Sequence, residues 1–149
     1  MEKLSKILLV GIGAGLVVSI WGSLSHLLLT PFAPGAQVFF KKQGFELVVL
    51  TFGLNLILGF FYVAAYALTG NGRPGPRWRR VLSFWGLLLL IGAAPRALIV
   101  YRYFPLPDEY VLAWAASWAA EAALVAILIT FLWPRAKAVL TETRRTSPK

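Results

Sequence analysis

Glu121 lies inside the stretch "WAASWAAEAALVAIL", in which every other residue except Ser117 is apolar or aromatic. An ionisable side chain is expensive in hydrocarbon and is tolerated where it faces protein, a partner charge or water. Two chemistries are open to it. Paired with a cation, it is half of an ion pair. Unpaired, it is a neutral hydrogen-bond donor or a proton-carrying site. Three further polar groups stand inside apolar segments: His26, Asn55 and Arg96. Trp114 and Trp118 recur with Ser117 and Glu121 at helical spacing. They can form one face on which a planar or cationic ligand stacks, or they can serve packing alone.

These groups need elements to carry them, and composition says which. Of 149 residues, 58% are apolar and only 14% charged, against about 25% charged in an average soluble domain. A membrane helix needs about 20 mostly apolar residues. Four segments qualify, at 7–30, 47–69, 81–104 and 110–133, and each ends at a proline or a glycine–proline cluster. The expected fold is therefore an all-α integral membrane bundle of four helices with short loops, a single domain over 1–149 with a basic tail at 134–149. A cleaved signal peptide is the alternative for the first segment, but its apolar run is long and lacks the usual small-residue cleavage site.

Basic residues outnumber acidic ones by 15 to 6. They cluster between and after the spans, which points to membrane topology and not to nucleic acid. Eleven fall on the side shared by the N-terminus, the second loop and the C-terminus, and three (Lys41, Lys42 and Arg102) on the other. The positive-inside rule then places both termini in the cytoplasm. With no cysteine, disulfides, thiolate metal sites and thiol nucleophiles are excluded, and one histidine cannot supply a bis-histidine haem site. No metal or cofactor is expected.

Counted from the external ends, His26 lies about four residues deep, Asn55 and Arg96 about eight, and Glu121 about eleven or twelve, at roughly 1.5 Å per residue. All four belong to the outer half. The short loop between the third and fourth spans makes them antiparallel neighbours, so Arg96 is level with about Ser117, one turn from Glu121. The two are expected to pair, which offsets part of the desolvation of each. The pair can also be no more than a lock between two helices, and Arg96 can alternatively snorkel to the headgroups. Pro95 removes the donor for the carbonyl of Ile91 and is expected to kink the third helix there.

Helix one carries Gly11, Gly15, Ser19 and Ser23 at four-residue intervals, a small-residue stripe that admits a close helix neighbour. In helix two Asn55, Gly59, Tyr62 and Tyr66 share a face, which can line a ligand cavity but is read as bundle core. The first external loop, "PFAPGAQVFFKKQGFE", is expected in the headgroup interface. Trp78, Trp85, Tyr110 and Trp133 are expected in aromatic belts. "GNGRPGPRWRR" is expected to be an irregular turn.

Tyr66-Ala67, Gly72, Pro74-Gly75-Pro76-Arg77, Trp118-Ala119-Ala120-Glu121 and Trp133 are similar to residues of a group of small bacterial four-span membrane proteins of no assigned function. That resemblance covers about half the chain. It implies four spans in a bacterial inner membrane and singles out Glu121, but supplies no activity, substrate or cofactor. Small multidrug exporters also have four spans and a membrane glutamate. Their acid is in the first helix, where this chain has none. The expected role is an accessory subunit or a binder of a small amphipathic ligand through His26, Asn55, Arg96, Glu121, Trp114 and Trp118. The expected partners are membrane lipids, a homo-oligomer or a larger membrane complex, and not nucleic acid. The alternatives are a proton-coupled small-molecule transporter acting as a homo-oligomer with Glu121 as carrier, or a membrane lipid or isoprenoid enzyme using His26 and Glu121.

Overall fold

The computed structural model of the chain describes residues 2–29, 45–69, 75–103 and 106–133. The helices are α1 (Glu2–Leu29), α2 (Phe45–Leu68), α3 (Arg77–Leu88), α4 (Ala94–Tyr103) and α5 (Asp108–Leu132). A π turn, Leu89–Ala93, joins α3 to α4 in one continuous third span. There are thus four helices long and apolar enough to cross a membrane, and no strand among the described residues. The aromatic stretch 31–44, the glycine–proline turn 70–74 and the tail 134–149 lie outside the described residues.

Two boundaries differ from expectation. The first helix starts at Glu2 and the third span at Arg77, about one turn early in each case. "RWRR" is therefore helical and not part of the turn. Nothing after Pro76 breaks a helix, and Pro76 stands as its N-cap. The helix starts as soon as the prolines end.

In lipid, burying apolar surface between helices gains little, because acyl chains are equally apolar; close packing and polar contacts hold the helices together instead. Within the 18-residue apolar stretch of each span, the buried share accordingly runs only from 11% in α2 to 33% in α5, so most of the apolar surface is left for lipid or a partner. The tightest seam is α1 against α2. A methyl group placed on Gly15 would lie 2.6 Å from Leu56 Cα and 2.8 Å from the Asn55 carbonyl oxygen. One on Gly59 would strike the backbone of Gly11 and Gly15, and one on Gly11 the ring of Phe60. The partner of the stripe is therefore helix two, which brings its own glycine to the contact.

α1 packs on α2 and on α5, and α5 packs on the third span. The bundle core gathers in the half nearer the chain termini. Val10 and Ala14 of α1, Tyr66 of α2, Phe84 of α3 and Val125 and Ile129 of α5 are buried there. The Tyr66 ring meets Phe84 edge to face at 4.9 Å and Trp133 at 5.1 Å, joining α2 to the third span through side chains.

In the third span the Ala94 N–H donates to the Leu89 carbonyl, five residues back. Pro95 has no N–H to offer Ile91. The helix absorbs that gap by widening one turn, and the widening re-aims the residues of α4 beyond it, Arg96 included. Such π turns recur at functional sites.

Gly15→Leu should lower the stability of the purified protein by about 3 kcal/mol or more, the upper end for overpacking, because its neighbours are backbone. Gly53→Ala, where the added Cβ meets nothing within 4 Å, is the matched control. Detergent melting curves read both, and equal melting of Gly15→Leu and wild type would contradict the seam.

Candidate ligand-binding site

The half of the bundle away from the termini is not closed in the same way. α1, α2, α4 and α5 surround a cavity of about 610 Å³ there. His26, Asn55, Arg96, Trp114, Trp118 and Glu121 all line it. Residues from four helices, spread over 95 positions of chain, thus meet around one space.

Each reaches it for a local reason. Asn55 sits one turn outward from Gly59, whose contact with α1 holds that turn of α2 against the cavity wall. Arg96 comes just after the π turn. On α5, Tyr110, Trp114 and Trp118 stack along one face at four-residue spacing, with ring centroids 5.0 and 5.6 Å apart. This ladder runs from the N-terminal end of α5 down to the level of Glu121.

At the cavity floor Arg96 Nη1 lies 3.7 Å from Glu121 Oε1. That is an ion contact longer than a hydrogen bond. The two members are unequally placed. The Glu121 side chain is 8% exposed and that of Arg96 40%. The guanidinium also interacts with the Tyr62 hydroxyl of α2, which itself lies within electrostatic reach of Glu121. The acid is enclosed, while the cation looks partly into the cavity.

Two indoles hold this part of α5. Trp21 Nε1 of α1 donates to the Ser117 carbonyl at 2.9 Å and to Ser117 Oγ at 3.1 Å. Trp85 Nε1 of α3 donates to the Ala119 carbonyl at 3.0 Å. The backbone carrying Glu121 is thus gripped from both neighbouring helices just before the acid. An indole N–H within apolar surroundings needs an acceptor, which is why Trp85 points inward and not into an aromatic belt. Tyr110, also expected in a belt, is buried beside Leu29, Leu106 and Trp114. Trp133 packs on Tyr66, and Trp78 faces outward, 60% exposed.

Several lining residues were not among those expected to form the ligand-binding set. Ser19, expected in the small-residue seam with Gly11 and Gly15, also lines the cavity, its hydroxyl buried without a hydrogen-bond partner. Ser23, Ser25 and Thr51 line it too. Tyr62, expected in the core, reaches the ion pair instead. Its seven-residue separation from Asn55 was the available signal. His26 and Glu121 share the cavity but differ in level. His26 is five residues outward from Trp21, and Glu121 four residues inward from Ser117, which Trp21 grips. Their levels differ by roughly 13 Å at about 1.5 Å per residue, beyond the reach of a direct acid–base dyad. No groups of three or more His, Asp or Glu suited to a metal occur among the described residues.

No protein-family model, curated protein or solved structure matches the chain.

Glu121→Gln should strand the Arg96 charge. Because Arg96 keeps contact with the cavity, the loss should be about 1–3 kcal/mol, that of an unpaired partly buried group, and below the roughly 3–5 kcal/mol of an enclosed pair. Adding Arg96→Gln should recover much of it. A double-mutant cycle by thermal or denaturant unfolding checks this, and single variants that are both silent would show that the pair carries no coupling.

Proposed function

We propose that this is a small multi-pass membrane protein that holds one small amphipathic molecule in the outer half of its bundle, alone or as an accessory subunit of a larger membrane assembly. The observation that carries the reading is the mixed lining of a single cavity. Its floor has Arg96, Glu121 and Asn55, while Leu27, Val48 and Phe52 of its lining are exposed apolar residues. A polar end placed on the floor leaves an apolar remainder at the rim, where lipid would receive it. Pockets lined by aromatic side chains with a few converging polar groups are the usual form of a ligand site.

The same reading places the chain in a bacterial inner membrane with both termini in the cytoplasm. The support is the distribution of Lys and Arg, eleven against three across the two sides, since basic loops stay cytoplasmic. The cavity then opens toward the exterior and the packed core lies on the cytoplasmic side. Arg77, Arg79 and Arg80 at the start of α3 would face anionic headgroups, each attracted by about 1 kcal/mol. The guanidinium of Arg77 lies 5.1 Å from the Phe131 ring centre, which holds it at that surface.

Purification in a mild neutral detergent, followed by native mass spectrometry, tests the binding role. Wild type should retain an amphipathic small molecule. Trp118→Ala should retain it about 30-fold less tightly, the loss of an aromatic anchor worth about 2 kcal/mol. A wild-type protein that retains nothing and binds no added amphipath saturably would overturn the proposal.

A further inference from the structure

We infer that the polar end of the ligand is anionic and carries a hydroxyl beside the charge, with Arg96 as the group that reads the charge; this rests on the binding role proposed above.

Access decides the sign. A ligand entering the cavity meets Arg96 before Glu121, because both line it, Arg96 stands nearer the open end of its helix, which ends at Tyr103, than Glu121 stands to the Asp108 end of its own, and the glutamate is the more enclosed, 8% exposed against 40%. An ammonium or other cationic head would meet a like charge first, with its attractive partner enclosed behind it. A carboxylate or phosphate meets a guanidinium with five N–H donors in a fixed fork. Glu121, at 3.7 Å, does not take up those donors in a tight hydrogen bond. It keeps the arginine in place, and beside the contact with the Tyr62 hydroxyl the remaining donors of the fork can bind a planar or tetrahedral anion. Glu121 is on this account a positioning residue and Arg96 a binding residue.

The serines of α1 supply the second half of the recognition. Ser23 Oγ donates to the Ser19 carbonyl at 2.9 Å, and Ser25 Oγ donates to the Gly22 carbonyl at 3.1 Å. Each hydroxyl hydrogen is thereby committed to backbone, and only oxygen lone pairs remain for the cavity. Ser19 Oγ, buried in the same wall, has no partner of its own. A buried hydroxyl left unsatisfied is costly, so a ligand hydroxyl at this wall would satisfy it. The wall is therefore suited to a ligand that donates hydrogen bonds, opposite a cation suited to an anion. Trp114 and Trp118 provide the flat apolar side between these groups and the rim. A phosphate bearing a short polyol on one side and a single hydrocarbon chain on the other has this distribution of groups.

Four single-headed probes test the inference on the purified full chain in a neutral maltoside detergent, by native mass spectrometry titration. They are a lysophosphatidylglycerol, a lysophosphatidylcholine of the same chain length, dodecyltrimethylammonium, and glycerol phosphate without a chain. The lysophosphatidylglycerol should bind saturably at one per chain and at least about tenfold more tightly than each of the others, a difference of about 1.4 kcal/mol. Arg96→Gln should abolish that preference, and Arg96→Lys should restore part of it by returning charge without the fork. The ranking on wild-type protein stands even if an Arg96 variant does not fold. Tighter binding of the cationic or the choline probe overturns the anionic reading while leaving the cavity a ligand site. Equal binding of glycerol phosphate overturns the requirement for a chain and makes the occupant a soluble anion. If no probe binds saturably, the binding role itself falls.

Discussion

A glutamate in the middle of an apolar helix cannot stay charged against lipid, and the upper half of this bundle is organised by that constraint. Arg96 comes to 3.7 Å, Tyr62 adds a hydroxyl, and two tryptophan indoles fix the turn of α5 that leads to the acid. Those contacts draw α1, α2, α3 and α4 toward one level of α5. The pair also sets where polarity can collect. Outward of it lie the serines, Asn55 and His26. Inward of it lie Val125, Ala126 and Ile129, buried among apolar side chains.

The two halves rely on different physics. In the half near the termini, small residues and aromatics give close packing. Gly11, Gly15 and Gly59 let two backbones approach, and Tyr66 fills the gap to Phe84 and Trp133. Dispersion and fit are what remain as driving forces once lipid has removed the hydrophobic one. In the other half, among the described residues, the helices are held by indole-to-carbonyl hydrogen bonds and the Arg96–Glu121 contact, leaving a space of about 610 Å³. A chain with a tight half and a cavity-bearing half can keep its fold while the cavity takes up a guest.

The spans were legible because length and hydropathy alone determine them, and four runs of sufficient length left no other architecture. The nearness of Arg96 and Glu121 was legible too, since a short loop makes the last two spans antiparallel and levels can then be counted. What pairwise counting does not yield is azimuth. The rotation of α2 about its axis decides that Asn55 faces the cavity, Gly59 the α1 seam and Tyr66 the core, and that rotation is set by where Gly59 lets α1 approach. The inward turn of Trp85 has the same origin: a tryptophan near a span end fits a headgroup belt equally well until a carbonyl acceptor on a neighbouring helix is known to be within reach. The early start at Arg77 shows a different limit, since basic residues beside glycines and prolines resemble part of a turn although they break no helix themselves.

The proposed division of the bundle into a cavity-bearing half open to the exterior and a dry half can be measured directly, because the chain contains no cysteine and any thiol introduced is the sole one. Ser23 lies on the cavity wall and Ala126 in the core. With a membrane-impermeant maleimide added outside intact cells, Ser23→Cys should be labelled, and Ala126→Cys should remain unlabelled even after the membrane is made permeable. Labelling of Ala126→Cys from the cytoplasmic side, or protection of Ser23→Cys from both sides, would contradict a bundle open outward above the Arg96–Glu121 pair and sealed below it.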